Sequence, residues 1–164
     1  MKDLYIVRHG KSSWATDEIS DIDRSLKERG IHDGYKMAEK LSAKDRIPEL
    51  IISSSANRAL HSATIFARTF KFPLEKVIIN EKFYLAETKT ILQLLIQTGD
   101  DIKSLMIFGH NPTFTDLANL FVNHEIANIP TTGIVGLSFD TNTWSNIDKL
   151  KPKDRFFDFP KNIK

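Results

Sequence analysis

The sequence predicts an α/β fold, a three-layer αβα sandwich around a mostly parallel central sheet. Two observations carry that prediction. Short apolar runs of strand length, such as Leu4-Tyr5-Ile6-Val7 and Leu105-Met106-Ile107-Phe108, alternate with longer segments whose apolar residues recur at helical spacing. Three of the runs stop abruptly at polar clusters, where open α/β sheets gather ligands outside the carboxyl ends of their strands.

The first run passes without pause into Arg8-His9-Gly10-Lys11, and a core strand has no packing reason to finish that way. Ser25-Leu26-Lys27-Glu28 then has the form of a capping box with Ser25 as N-cap. Ile31, Tyr35, Met37, Ala38 and Leu41 follow at roughly helical spacing, and Pro48 closes the unit. Leu50-Ile51-Ile52 is a second buried strand, ending in Ser53-Ser54-Ser55. A helix from about Asn57 to Phe70 carries Ala59, Ala63, Phe66, Ala67 and Phe70 on one broad face. Val77-Ile78-Ile79 is a third, shorter strand. Thr90 to Gln97 reads as helix with Gly99 as C-cap. The fourth strand, Leu105–Phe108, closes with Gly109-His110-Asn111-Pro112 and leads into a helix over Thr113 to Val122. Gly133 to Phe139 alternates as a fifth strand, and the tail adds an edge strand around Phe156-Phe157.

Composition bounds the function. The 164 residues fit a single domain, 1–164, with no repeat or linker to divide it. Net charge is +2, with acids and bases interleaved, which is too balanced for a general nucleic-acid binder. The absence of cysteine excludes disulfides, thiolate catalysis and zinc-finger chemistry. No apolar run approaches the roughly 20 residues of a membrane span, and the expected location is cytoplasmic. The acidic run from Asp17 to Asp23 fits no calcium loop and reads as a solvated loop.

In a parallel sheet the first, second and fourth strands end along one edge. Arg8, His9, Arg58 and His110 would then converge on one site. Two guanidiniums and two imidazoles imply an anionic ligand, and phosphate fits best because each Arg presents a rigid donor fork matching its oxygens. Phosphoryl transfer proceeds in line, so one imidazole can attack while other groups hold the equatorial oxygens. His9, beside Gly10, is assigned as the nucleophile, attacking as neutral imidazole to form a phosphohistidine intermediate that water hydrolyses. His110 is expected to stabilise the phosphoryl oxygens as imidazolium. Lys11, Ser12 and Ser13 could cradle phosphate or form a plain turn, and Ser13 and Asn111 are carried as further substrate-binding candidates. Trp14 either walls the pocket or covers the loop. His61 faces the pocket rim or solvent; His32 and His124 read as solvated.

These residues resemble the histidine phosphatase superfamily, and within it the small SixA-like phosphohistidine phosphatases. The likeness rests on Leu4 through Trp14, Asp23 through Gly30, Ser53 through Ala59, Gly109-His110-Asn111-Pro112 and Thr131-Thr132-Gly133, in family order. It implies a phosphoglycerate mutase-like fold, a pocket of Arg8, Arg58, His9 and His110 with His9 phosphorylated, and no metal or cofactor. It further implies a phosphorylated protein or small phosphate ester as partner, with neither nucleic acid nor membrane involved. The chain departs from the family pattern at Ser55, where proline is common, and at Ser62, where threonine is frequent. It departs more seriously where many members carry a proton-donating glutamate. Here that position is Leu85, and Glu87 lies two residues on. Only 51 residues lie between Arg58 and His110, against the long insertions of the mutases. A phosphatase acting on phosphohistidine or a small monoester is therefore expected. The alternatives are a non-catalytic phosphate- or phosphoprotein-binding module and a mutase-type phosphotransferase.

Overall fold

The computed structural model describes residues 1–123 and 125–162; His124, read above as solvated, lies outside the described residues. Six strands form one sheet: β1 (Lys2–Arg8), β2 (Leu50–Ser53), β3 (Ile78–Ile79), β4 (Ser104–Gly109), β5 (Ile134–Phe139) and β6 (Asp154–Asp158). Their order across the sheet is β3-β2-β4-β1-β5-β6. The first four in that order run parallel, whereas β5 and β6 are antiparallel to their neighbours. Among the described residues four α-helices cover it: α1 (Glu28–Ala43), α2 (Asn57–Thr69), α3 (Thr88–Ile96) and α4 (Thr113–Val122).

The period-two alternation of strand side chains sorts the core into two layers. Leu4 and Ile6 of β1 join Leu105 and Ile107 of β4 against Ile91 and Leu95 of α3 and Phe114, Leu117 and Phe121 of α4. Tyr5, Val7, Met106 and Phe108 point to the other face, against Met37, Ala38 and Leu41 of α1 and Ala63, Phe66 and Ala67 of α2. Each large side chain buried in this way is worth about 1.5–3 kcal/mol, so register is strongly fixed: a one-residue slip would exchange the two layers. Among the described residues no helix is long and apolar enough to cross a membrane.

Three local expectations are corrected. Ser25 is not an N-cap; α1 begins at Glu28 with Lys27 as N-cap and no side-chain cap bond. The backbone at Ser25 to Lys27 is instead drawn out by pairing with the loop after β1. Leu26 bridges Ser12, Ser13 N–H donates to Ser25 O, and Lys27 N–H donates to Lys11 O. Helix α3 starts at Thr88 and ends at Ile96, with Gln97 as C-cap in right-handed conformation, so Gly99 does not cap it. Strand β3 shrinks to two residues, both exposed, because it pairs only with β2 at the sheet margin.

Candidate active site

The parallel register brings the strand ends together as anticipated: Arg8 lies opposite Gly109, and Ser53 opposite Phe108. His9 and His110 follow directly, and their ring centroids stand 5.2 Å apart. Arg58 enters from the first turn of α2, immediately after the β2 end. Together these four side chains line a cavity of about 270 Å³, joined by Lys11, Ser12, Trp14, Arg24, Asn111 and Thr131. Four of the lining residues are cations and none is a carboxylate.

Glycines let the backbone close in. A Cβ on Gly30 of α1 would stand 2.3 Å from the carbonyl oxygen of Lys11, and one on Gly109 would strike the Phe114 ring at 2.5 Å. The loop after β1 therefore lies directly on the first turn of α1. Gly10 N–H donates to Ser62 Oγ at 2.9 Å, and Ser62 donates in turn to Arg58 O at 2.7 Å. Serine at position 62 thus keeps the one group this contact needs, a hydroxyl.

The imidazoles differ in tautomer and role. His9 Nδ1 is 2.7 Å from Gly10 O. A carbonyl only accepts, so Nδ1 carries the proton and Nε2 keeps its lone pair. Burial, reinforced by His110, Arg58 and Arg8, pushes the His9 pKa down to about 3 although the Gly10 bond opposes it. His9 is accordingly neutral at physiological pH, as a nucleophile requires. In the free site, burial first, then Arg58, Arg24 and Arg8, push the His110 pKa down to about 4 against the pull of Asp21, so the ring is neutral before an anion binds. The free site therefore holds two neutral rings, which lessens the repulsion among the cations around them. His110 Nε2 lies 2.8 Å from Ser54 Oγ, a partner that orients the ring.

Asp21 is the member that sequence reasoning missed. Arg58 donates from Nη1 to Asp21 O at 2.7 Å and from Nη2 to Asp21 Oδ2 at 3.1 Å. Arg24 donates to Asp21 Oδ1 at 2.8 Å and, through Nη2, to Ser12 Oγ at 2.7 Å. Tyr84 OH donates to Asp21 Oδ2 at 2.5 Å, and its ring stands edge-on to His110. That hydrogen bond and the two guanidiniums hold the Asp21 carboxyl down to about 2. Asp21 is therefore a clasp over two arginines, while Asp17, Glu18 and Asp23 of the same run are exposed, as expected of a solvated loop. The Asp21/Arg24 spacing in the sequence was the available signal.

Two candidates lose their proposed contact. Ser13 does not line the cavity, and its hydroxyl is turned to Ser25 O at 3.3 Å; Ser12 and Arg24 line it instead. Asn111 does line it, but its amide is fully spent. Nδ2 donates to Asn128 Oδ1 and Ile129 O, while Oδ1 accepts from the Thr115 N–H and hydroxyl. With both donors and both lone pairs used, Asn111 braces the turn before α4 rather than binding substrate. Glu87 is the exposed N-cap of α3 and is not among the lining residues. His61 lines a separate groove with Leu60 and Thr64, and His32 is exposed.

Unmet hydrogen-bonding capacity gathers at the same place. Among the described residues, the buried side-chain atoms with no partner are Arg8 Nε, Arg58 Nε, His110 Nδ1 and Thr132 Oγ1. The first three belong to residues lining the cavity. Each such atom costs about 1–3 kcal/mol unless something satisfies it, and an oxyanion with several acceptor oxygens suits two guanidinium donors.

Residues 4–83 match the model of the histidine phosphatase superfamily (branch 1). An uncharacterised chloroplastic protein of Arabidopsis thaliana is 30% identical over 149 residues, covering 86% of this chain and 68% of its own. An uncharacterised protein of Mycobacterium tuberculosis is also 30% identical, over 112 residues, covering 68% of this chain and 67% of its own. Among solved structures, the protein histidine phosphatase SixA complexed with tungstate shares the fold at a TM-score of 0.83, with 18% identity and 99% of each chain covered. A protein of Agrobacterium tumefaciens provisionally named phosphohistidine phosphatase SixA gives 0.80 at 24% identity, covering 94% of this chain and 97% of that one. On the sequence match and the shared fold, this chain belongs to the histidine phosphatase superfamily.

Proposed function

We propose that this protein is a phosphatase that hydrolyses a phosphorylated imidazole on a protein, or an aryl phosphate, through a phospho-His9 intermediate. His9 Nε2 attacks phosphorus, and the bond from phosphorus to the leaving nitrogen or oxygen breaks on the opposite side. Water then attacks the phosphorus of phospho-His9: a P–O bond forms, the P–Nε2 bond breaks and returns Nε2 its lone pair, and the water's proton leaves with the inorganic phosphate or to solvent. Arg8 and Arg58 hold the phosphoryl oxygens, and His110 donates to them as the transition state gathers charge. Phosphate charge in the cavity opposes the arginines that depress the His110 pKa, so substrate itself favours the protonated ring.

The observation that carries this reading is the pair of neutral imidazoles 5.2 Å apart in a cavity lined by four cations and no carboxylate. The missing carboxylate also orders the substrates. An alkoxide leaving group without a general acid forfeits roughly 10²–10⁴-fold in rate. A phosphoramidate nitrogen takes its proton from solvent and departs as neutral imidazole, and a phenolate is a stable anion. The family and the fold shared with a structure named protein histidine phosphatase SixA support the same reading.

The test is a substrate panel of phosphohistidine peptide, p-nitrophenyl phosphate and an alkyl phosphate, with radiolabelled phosphate to trap the intermediate. Efficiency is expected to fall in that order, with acid-labile, base-stable label on the protein that His9→Ala abolishes. A single burst of bound phosphate without steady release would establish a binding module instead. Equal rates on the alkyl phosphate would mean that an effective proton donor reaches the leaving group.

A further inference from the structure

Trp14 lines the cavity but has no task in the reaction above. It is 77% exposed, against complete burial for the chain's other tryptophan, Trp144. Leaving so large an apolar ring in water forgoes the stabilisation that burying it would bring. Among the described residues, none stacks a ring or a cation on the Trp14 indole.

The backbone on either side of Trp14 is nonetheless held. Ser13 N–H donates to Ser25 O, and Ser13 O accepts from Arg24 Nε at 2.6 Å. Two residues on, Thr16 exchanges backbone hydrogen bonds with Ile19. An anchored loop thus presents an unstacked indole at the cavity.

In-line chemistry says what meets it. His9 is only 7% exposed and attacks from the cavity floor, so the leaving group departs toward the open side. Trp14 is the strongly exposed aromatic lining residue, and so it belongs to that open side.

We infer that Trp14 is a specificity-determining residue: its indole forms a platform for planar leaving groups, imidazole or aryl, and discriminates against alkyl ones. This rests on the phosphatase reading for its substrate, but it can be tested apart from turnover. Stacking of one ring on another is worth about 2- to 12-fold in affinity, the equivalent of 0.5–1.5 kcal/mol.

The experiment titrates phenylphosphonate and methylphosphonate, neither of which can be hydrolysed at its P–C bond, into the parent, Trp14→Ala, Trp14→Leu and Trp14→Phe. Binding is read by calorimetry and, in the parent, by tryptophan fluorescence. Phenylphosphonate is expected to bind the parent about fivefold more tightly than methylphosphonate and to quench the exposed indole. The preference disappears in Trp14→Ala, falls in Trp14→Leu and returns in Trp14→Phe, while methylphosphonate affinity stays level and reports an intact pocket. In turnover, Trp14→Ala raises KM for p-nitrophenyl phosphate severalfold more than KM for the alkyl phosphate. Equal binding of the two phosphonates by the parent overturns the inference, as does a preference that survives in Trp14→Ala. A retained phenyl preference without a phospho-His9 intermediate would refute the phosphatase reading and leave the platform standing.

Discussion

Replacing Gly30 by alanine sets two well-known effects against each other. Gly30 lies in the first turn of α1, where alanine is the better helix former by about 0.5–1 kcal/mol. Its would-be Cβ, however, stands 2.3 Å from Lys11 O and 2.9 Å from Lys11 N, both backbone atoms that no rotamer change can move. Restoring ordinary contact separates loop and helix by about 1 Å, and overpacking of this kind costs about 1–3 kcal/mol. The clash exceeds the helix gain, so a net loss of about 1 kcal/mol in stability is expected. The larger effect is on activity, because the displaced loop carries Lys11, Ser12 and Trp14 into the cavity and follows directly on His9 and Gly10. A misplacement of about 1 Å can cost on the order of 10²-fold in rate. Steady-state kcat/KM on p-nitrophenyl phosphate, measured beside a urea unfolding curve, separates the two effects. A variant within about twofold of the parent in kcat/KM, or one stabilised by the helix gain, would refute the reasoning.

Acid should unfold the protein through its histidines. His9 at about 3 and His110 at about 4 both lie below the ordinary 6.5, so the unfolded chain takes up these protons first as pH falls. Their contribution is whole above about pH 6.5 and drains as pH falls toward 3; Asp21, at about 2 against 3.8, adds a further loss below about pH 4. Urea midpoints between pH 7.5 and 4.5 should therefore fall more steeply in the parent than in a His9→Asn/His110→Asn double variant, and parallel curves would count against buried neutral rings. Ser54→Ala removes the hydroxyl 2.8 Å from His110 Nε2, so kcat is expected to drop about tenfold with KM unchanged; a rise in KM alone would assign Ser54 to binding instead.

The parts of the fold legible in the sequence were those written in local pattern. Leu4-Tyr5-Ile6-Val7 and Leu105-Met106-Ile107-Phe108 announced strands buried on both faces, and their alternation matches the two core layers. His9, His110, Arg8 and Arg58 could be gathered on paper because parallel strands end on the same edge. What escaped depends on contacts between distant segments. The Asp21–Tyr84 bond spans 63 positions and the Asp21–Arg58 bond 37, and in the sequence only Arg24, three positions on, sets Asp21 apart from its exposed acidic neighbours. Ser25 misled for a related reason: the capping pattern is intact, but pairing with the loop after β1 holds that backbone extended. The low pKa of His110 in the free site is likewise invisible in the sequence, since it follows from burial and from arginines that converge only in three dimensions.

Strand β1 holds an interior place in the sheet, with β4 on one side and β5 on the other, while the margins belong to β3 and β6. Native-state opening begins where backbone amides lack neighbours, so the two margins breathe first and most often. His9, which follows β1 directly, is thus mounted on the part of the molecule that such breathing disturbs least. Amide protons of Tyr5, Ile6 and Val7 should accordingly be among the last to exchange with deuterated solvent.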